Sequence, residues 1–190
     1  QCARIASQLK AGGFRPDLVL AHPGWGESLF VKDVFPQARL IHYCEWYYSA
    51  DGADAGFDPA HPLTLDDKAR IRSKNALQLL ALEACDVGVS PTHWQKSRFP
   101  AEYHGKIQVI HEGIDLAQAK PNPHASITLV DGRQLTRQDP IITYVARNLE
   151  PYRGFPQFLR ALEIAQQQHP TIQALIVGGD EVSYGNRPKD

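Results

Sequence analysis

Arg147 and Arg153 stand six residues apart in the run Tyr144-Val145-Ala146-Arg147-Asn148-Leu149-Glu150-Pro151-Tyr152-Arg153-Gly154-Phe155. The first closes an apolar stretch, and the second immediately precedes Gly154 and a helical pattern. Two guanidiniums around a helix N-terminus make a site for a diphosphate, because unpaired backbone N–H groups and fixed cations there favour an anion. The competing reading is a pair of solvated surface arginines. A second set of groups combines imidazoles, carboxylates and aromatic rings: His22-Pro23-Gly24-Trp25-Gly26-Glu27, Tyr43-Cys44-Glu45-Trp46 and His111-Glu112-Gly113. Tyr43, Glu45 and Trp46 are able to line a sugar-sized pocket by stacking and hydrogen bonding. His22 serves either a ligand or only a strand terminus. Glu27 serves either a ligand or the N-terminus of the helix expected there. The His and Glu residues raise the idea of a metal centre, but none has the i, i+4 spacing of a zinc-binding helix and no cysteine pair helps. No metal is expected.

What must position these groups is an alternation of strand-like and helix-like periodicity along almost the whole chain. Residues 3–9 read as the end of a helix stopped at Gly12-Gly13, and residues 16–21 as an apolar strand that ends at His22. Residues 27–35 read as a short helix stopped by Pro36, and 39–44 as a second strand. After a loop rich in Gly, Asp and Pro over 47–62, Thr64 and Asp67 predict a capping box for a long helix over 65–84. Strands are expected over 86–89 and 106–110, with Ser90 as N-cap and Pro91 as first residue of the helix between them. Residues 116–139 lack periodicity and read as a linker or irregular arm. A strand over 141–146, a helix over 155–168 and a strand over 172–177 complete the pattern, before a polar tail over 183–190.

Such alternation predicts an α/β fold, with Rossmann-like, doubly wound parallel sheets covered by helices on both faces. The expected division is an incomplete N-terminal domain over 1–115, the arm over 116–139 and the start of a C-terminal domain over 140–190. Two strands and one helix do not bury a normal core, so the second domain is expected to be incomplete. Ligands of open parallel sheets bind at the carboxyl ends of the strands. Every expected strand here ends in polar, aromatic or glycine residues. Those ends are His22 with Gly24, Trp25 and Glu27, then Tyr43 with Glu45, then Ser90, then Glu112 with Gly113. Arg147 with Asn148, and Gly178 with Gly179, follow in the second part.

Composition narrows the classes. The chain has 190 residues, with 20 Lys+Arg against 21 Asp+Glu and a net charge of -1, so no nucleic-acid or anionic-membrane partner is indicated. Hydrophobic residues at 43% and charged ones at 22% exclude disorder. No apolar stretch approaches the roughly 20 residues of a membrane span. The three cysteines form no C-x-x-C pair, which argues for a reducing, cytoplasmic location, with Cys44 and Cys85 as small buried residues. Lys68, Arg70, Arg72 and Lys74 on the long helix leave contact with the inner face of a membrane open, although their spacing spreads them around the helix. Methionine is absent altogether and the chain starts Gln1-Cys2-Ala3, from which a central fragment of a longer polypeptide is expected.

With these motifs in view, the run over 145–155 resembles the Gly/Ala-Arg-x-x-x-x-Lys-Gly segment of GT-B glycosyltransferases, specifically glycosyltransferase family 4. PDLVLAHPGWGES (16–28), EACDVGVSPTHWQKSRFP (83–100), VIHEGID (109–115) and ALIVGGD (174–180) match in the family's order and cover most of the chain. The resemblance implies transfer of a sugar from a nucleoside diphosphate sugar to a carbohydrate or glycolipid acceptor hydroxyl, with retention, no metal and no cofactor. It implies that Arg147 and Arg153 grip the diphosphate, where the family usually carries lysine second. It also implies that His22 lines the cleft near the sugar and that Glu112-Gly113 opens the interdomain linker. The family's glycine-rich first loop is expected before residue 1 and its paired glutamates after residue 190, so the chain alone is expected to be inactive. A nucleotide-sugar epimerase of the same fold and a non-catalytic binding or docking module are the alternatives.

Overall fold

A computed structural model describes residues 1–53, 55–57, 59 and 62–183. Beyond Ser183 the expected polar tail lies outside the described residues, as does part of the loop over 47–62. The chain divides into two compact units, Gln1–Ile114 and Asp115–Asp190.

In the first unit, strands β1 (Leu18–Ala21), β2 (Arg39–Tyr43), β3 (Val87–Ser90) and β4 (Ile107–Val109) form one sheet in the order β1-β2-β3-β4. Every pairing is parallel, with Leu20 opposite Ile41, His42 opposite Gly88 and Gly88 opposite Ile107. Helix α1 (Cys2–Ala11) precedes the sheet, and α2 (Val31–Val34), α3 (Leu65–Ala84) and α4 (His93–Arg98) make the crossovers. The strand order advances in one direction, so right-handed connections put every crossover on the same face.

Burial follows that geometry. On the covered face lie Leu40, His42 and Ser90 at 0% exposure and Cys44 and Ile107 at 1%. Cys44 and Ile107 pack with Leu82 and Phe99, while Val34, Phe35 and Ala38 pack with Ala6 and Val19. The opposite face carries Leu18 and Leu20 at 52% and 67% exposure. Coverage of both faces, expected from the apolar strands, is therefore realised on one face only among the described residues. Apolarity of a strand reports both of its faces together, whereas the strand order decides which of them receives helices.

Local chemistry explains the elements. Thr64 accepts from the Asp67 N–H and Asp67 answers to the Thr64 N–H, the expected capping box at the start of α3. Gly88 lies where an added Cβ would meet Cys44 Sγ and Ile107 Cγ1 at 2.9 Å, so this position on β3 needs the missing side chain. Cys44 and Cys85 are buried thiols, as expected, and burial pushes Cys44 up to about 12.

Two readings are corrected in this unit. The helix expected over 27–35 shrinks to α2, four residues long, and Glu27 lies in a preceding turn rather than at a helix N-terminus. The Pro23-Gly24-Trp25-Gly26 run holds the backbone in turns as far as Phe30, delaying the helix. Ser90 ends β3, and it is Thr92 whose Oγ1 accepts from the Gln95 N–H to cap α4.

The second unit holds an antiparallel hairpin of β5 (Ser126–Thr128) and β6 (Gln134–Thr136), and a parallel pair of β7 (Ile141–Asn148) and β8 (Gln173–Gly179) joined by α5 (Phe155–Gln168). The hairpin corrects the irregular arm. Asp131-Gly132 supplies its turn, with Gly132 at φ 84° in the left-handed region. Within the described residues of this unit only Leu135 and Glu150 are buried. Val145 is 72% exposed and Val177 56%, so the apolar strand residues are present without a core around them.

Candidate functional site

Parallel pairing brings all four carboxyl ends of the first sheet to one edge, and the predicted groups converge there. The loop after β1 turns tightly enough for the Gly24 N–H to donate to His22 Nδ1 at 3.0 Å. The ring proton then belongs on Nε2, which lies 3.1 Å from Glu45 Oε2, just past β2. Both nitrogens of His22 are thus engaged by the protein. Its ring lies 5.5 Å from that of Trp25 and 6.2 Å from that of Tyr43. Trp25 is 80% exposed, an indole face left open at the sheet edge.

Tyr43, the last residue of β2, donates its hydroxyl proton to Glu112 Oε1 beyond β4. Burial first and this bond to a carboxylate second push the phenol up to about 12, because ionising it would place two anions in contact. Gly113, at φ 81°, donates its N–H to His111 Nδ1 at 3.0 Å. The edge therefore joins the ends of β1, β2 and β4 through His22, Tyr43, Glu45 and Glu112.

Other predicted residues fall elsewhere. Ser90 is fully buried, and among the described residues its Oγ donates to the Thr92 carbonyl at 3.5 Å. Glu27 is exposed in its turn. Gln95 was not anticipated: its Nε2 donates to the Glu45 carbonyl at 3.0 Å, while its Oε1 accepts from Thr92. Thr92-x-x-Gln95 has the spacing of a capping box, the signal that marks both residues in the sequence. Trp94 also joins this side, 5.5 Å from Trp46 and with the Arg98 guanidinium over its ring at 5.8 Å.

In the second unit Arg147 lies exposed near the end of β7. Arg153 ends a turn of 3-10 helix, Pro151–Arg153, with its Nε 3.8 Å from the buried Glu150 carboxylate. Gly154 at φ 77° then turns the chain into α5, whose first turn carries no acidic residue and no side-chain cap. Tyr144 secures the junction by donating to the Arg153 carbonyl at 3.1 Å and packing on Phe155 and Phe158. Asn148 is occupied by Ser183, 2.6 Å from its amide nitrogen. Gly178 and Gly179 belong to β8, where a Cβ would meet Leu149 Cδ2 at 2.8 Å and Asn148 Oδ1 at 2.6 Å. Their small size serves close backbone approach.

A parallel sheet with an aromatic and carboxylate edge, in a chain that continues into a second strand–helix unit, defines a Rossmann-like α/β protein of the GT-B kind. The family model of the glycosyl transferase family 4 group matches residues 1–119, and the chain belongs to that family. Glycosyl transfer is accordingly its general role. No curated protein matches the chain. The matched region includes the whole edge built around His22 and ends before the two arginines. Among the described residues, no helix is long and apolar enough to cross a membrane and no group of three metal-ligating side chains forms.

Proposed function

We propose that the chain handles a nucleoside diphosphate sugar, from which a hexose passes to an acceptor hydroxyl with retention at the anomeric carbon and without a metal. The observation that carries this reading is the exposed Arg147 together with Arg153 beside the uncapped N-terminus of α5. Backbone N–H groups and fixed cations neutralise the charge that builds on a departing diphosphate. The aromatic and carboxylate edge of the first unit is the acceptor side in this reading. Free thiols fit a cytoplasmic site of action.

Calorimetry with UDP and GDP tests the donor assignment. An Arg147→Ala/Arg153→Ala variant is expected to bind the preferred nucleotide at least about tenfold more weakly, the loss that one charge-assisted hydrogen bond produces. Unchanged affinity removes the diphosphate role. Product analysis with the sugar nucleotide alone separates transfer from epimerisation, which needs no acceptor.

A further inference from the structure

Where the chain leaves the first unit, its last hold on the sheet is a side chain. Ile110 is the final residue of that unit whose backbone bonds to a strand, its N–H donating to the Ser90 carbonyl at 3.0 Å. Among the described residues, the peptide groups of 111–114 make no hydrogen bond to the sheet, and all four residues are exposed. Glu112 is nevertheless tied back across the carboxyl edge, because its Oε1 accepts the hydroxyl proton of Tyr43. Tyr43 is half-buried and closes β2, so the anchor stands on a strand and not on a loop. One residue further on, the restraint stops. Gly113 holds φ 81°, and nothing lies within 4 Å of where a Cβ would stand. Its N–H donates within its own turn, to His111 Nδ1 at 3.0 Å. From Asp115 the chain is organised locally again. The Ala117 N–H donates to Asp115 Oδ1 at 2.9 Å and the Ala119 N–H to the Asp115 carbonyl at 2.8 Å.

We propose that the Tyr43–Glu112 bond is a clasp that fixes the direction of the chain as it leaves the sheet and places its pivot at Gly113-Ile114. Without the clasp the free segment starts at His111, directly after the last backbone bond to β3. A hydrogen bond to an ionised carboxylate belongs to the stronger class, which suits it to hold an exposed segment by one contact. Glycine in the left-handed region, with open space around it, then lets the chain turn with little steric penalty. The two halves of the clasp stand 69 residues apart, so it forms only once the strands carrying them are in the sheet. Burial and the Glu112 carboxylate hold the Tyr43 phenol up at about 12, which keeps it a donor throughout the neutral range. The device is independent of what the chain transfers.

Backbone nitrogen relaxation on the full chain tests this, read as order parameters across residues 109–119. In the parent they should stay near about 0.85 through Glu112 and fall below about 0.6 at Ile114. Tyr43→Phe keeps the ring and loses only the hydroxyl. There the fall should move back to His111, and hydrogen exchange of the Gly113 amide should quicken about tenfold, the loss of one charge-assisted hydrogen bond. Glu112→Ala, an exposed substitution that leaves the sheet untouched, should shift the fall in the same way. Glu112→Gln keeps an acceptor oxygen and should leave it at Ile114. Unchanged exchange of the β2 and β3 amides in these variants separates release of the clasp from a general loss of stability. A fall already at His111 in the parent overturns the proposal, as does one that stays at Ile114 in both Tyr43→Phe and Glu112→Ala.

Discussion

Gly24→Ala isolates the machinery that holds His22. Gly24 is not among the glycines with positive φ, so alanine brings no backbone strain there and the whole effect comes from contact. Its Cβ would lie 2.7 Å from His22 Cε1 and 2.8 Å from Nδ1. Ordinary carbon contacts lie at about 3.5–4.0 Å, so the imidazole must retreat by roughly 0.7–1 Å. That movement weakens the bond from the Gly24 N–H, now 3.0 Å, and the contact with Glu45, now 3.1 Å. Each is worth about 0.5–1.5 kcal/mol, with the Glu45 contact at the low end because that carboxylate is half exposed. The expected cost is therefore about 1–2 kcal/mol, small beside the stability of a domain. Two measurements check it. Urea unfolding should show a modest loss, and nitrogen NMR of histidine-labelled protein should show His22 Nδ1 released from its hydrogen bond. A Gly24→Ala variant that keeps the parent nitrogen spectrum, or that loses most of its stability, refutes the reasoning.

Gly88→Ala acts in the core instead. A Cβ 2.9 Å from Cys44 Sγ and Ile107 Cγ1 overpacks the site, so about 1–3 kcal/mol should be lost in urea unfolding. His42 predicts an acid dependence. It is fully buried, and neither ring nitrogen makes a well-formed hydrogen bond among the described residues. Burial lowers its pKa, with the Lys106 and His22 charges adding to that and the Ala81 carbonyl opposing it. The unfolded chain then takes up a proton that the folded one does not. Stability should fall as pH drops below the ordinary histidine value of 6.5, and level off below the lowered folded pKa. In His42→Leu that part of the acid slope should vanish from pH-dependent urea titrations, and an unchanged slope contradicts the assignment.

How far the site was legible depended on the range of the interaction. The capping box at Thr64 and Asp67, the extent of α5 and the strand positions follow from neighbours a few residues apart. So did the gathering of His22, Tyr43, Glu45 and Glu112, because parallel strands necessarily bring their carboxyl ends to one edge. Glu27 was misplaced because the turns around Gly24 and Gly26 outlasted the helical pattern. Ser90 was misplaced because Ser-Pro and Thr-x-x-Gln both signal a cap, and only the end of β3 chose between them. The hairpin over 126–136 carried an Asp-Gly turn signal within a segment whose lack of longer periodicity hid it.

The sequence by itself determined the alternation of strands and helices, the parallel sheet and the family, since these rest on local periodicity and motifs. Tertiary structure alone decided which nitrogen of His22 meets which partner, which carboxylate oxygens are engaged, and which sheet face is covered. Those features depend on the order of strands and on contacts such as Tyr43 with Glu112, 69 residues apart, for which no local pattern is a proxy.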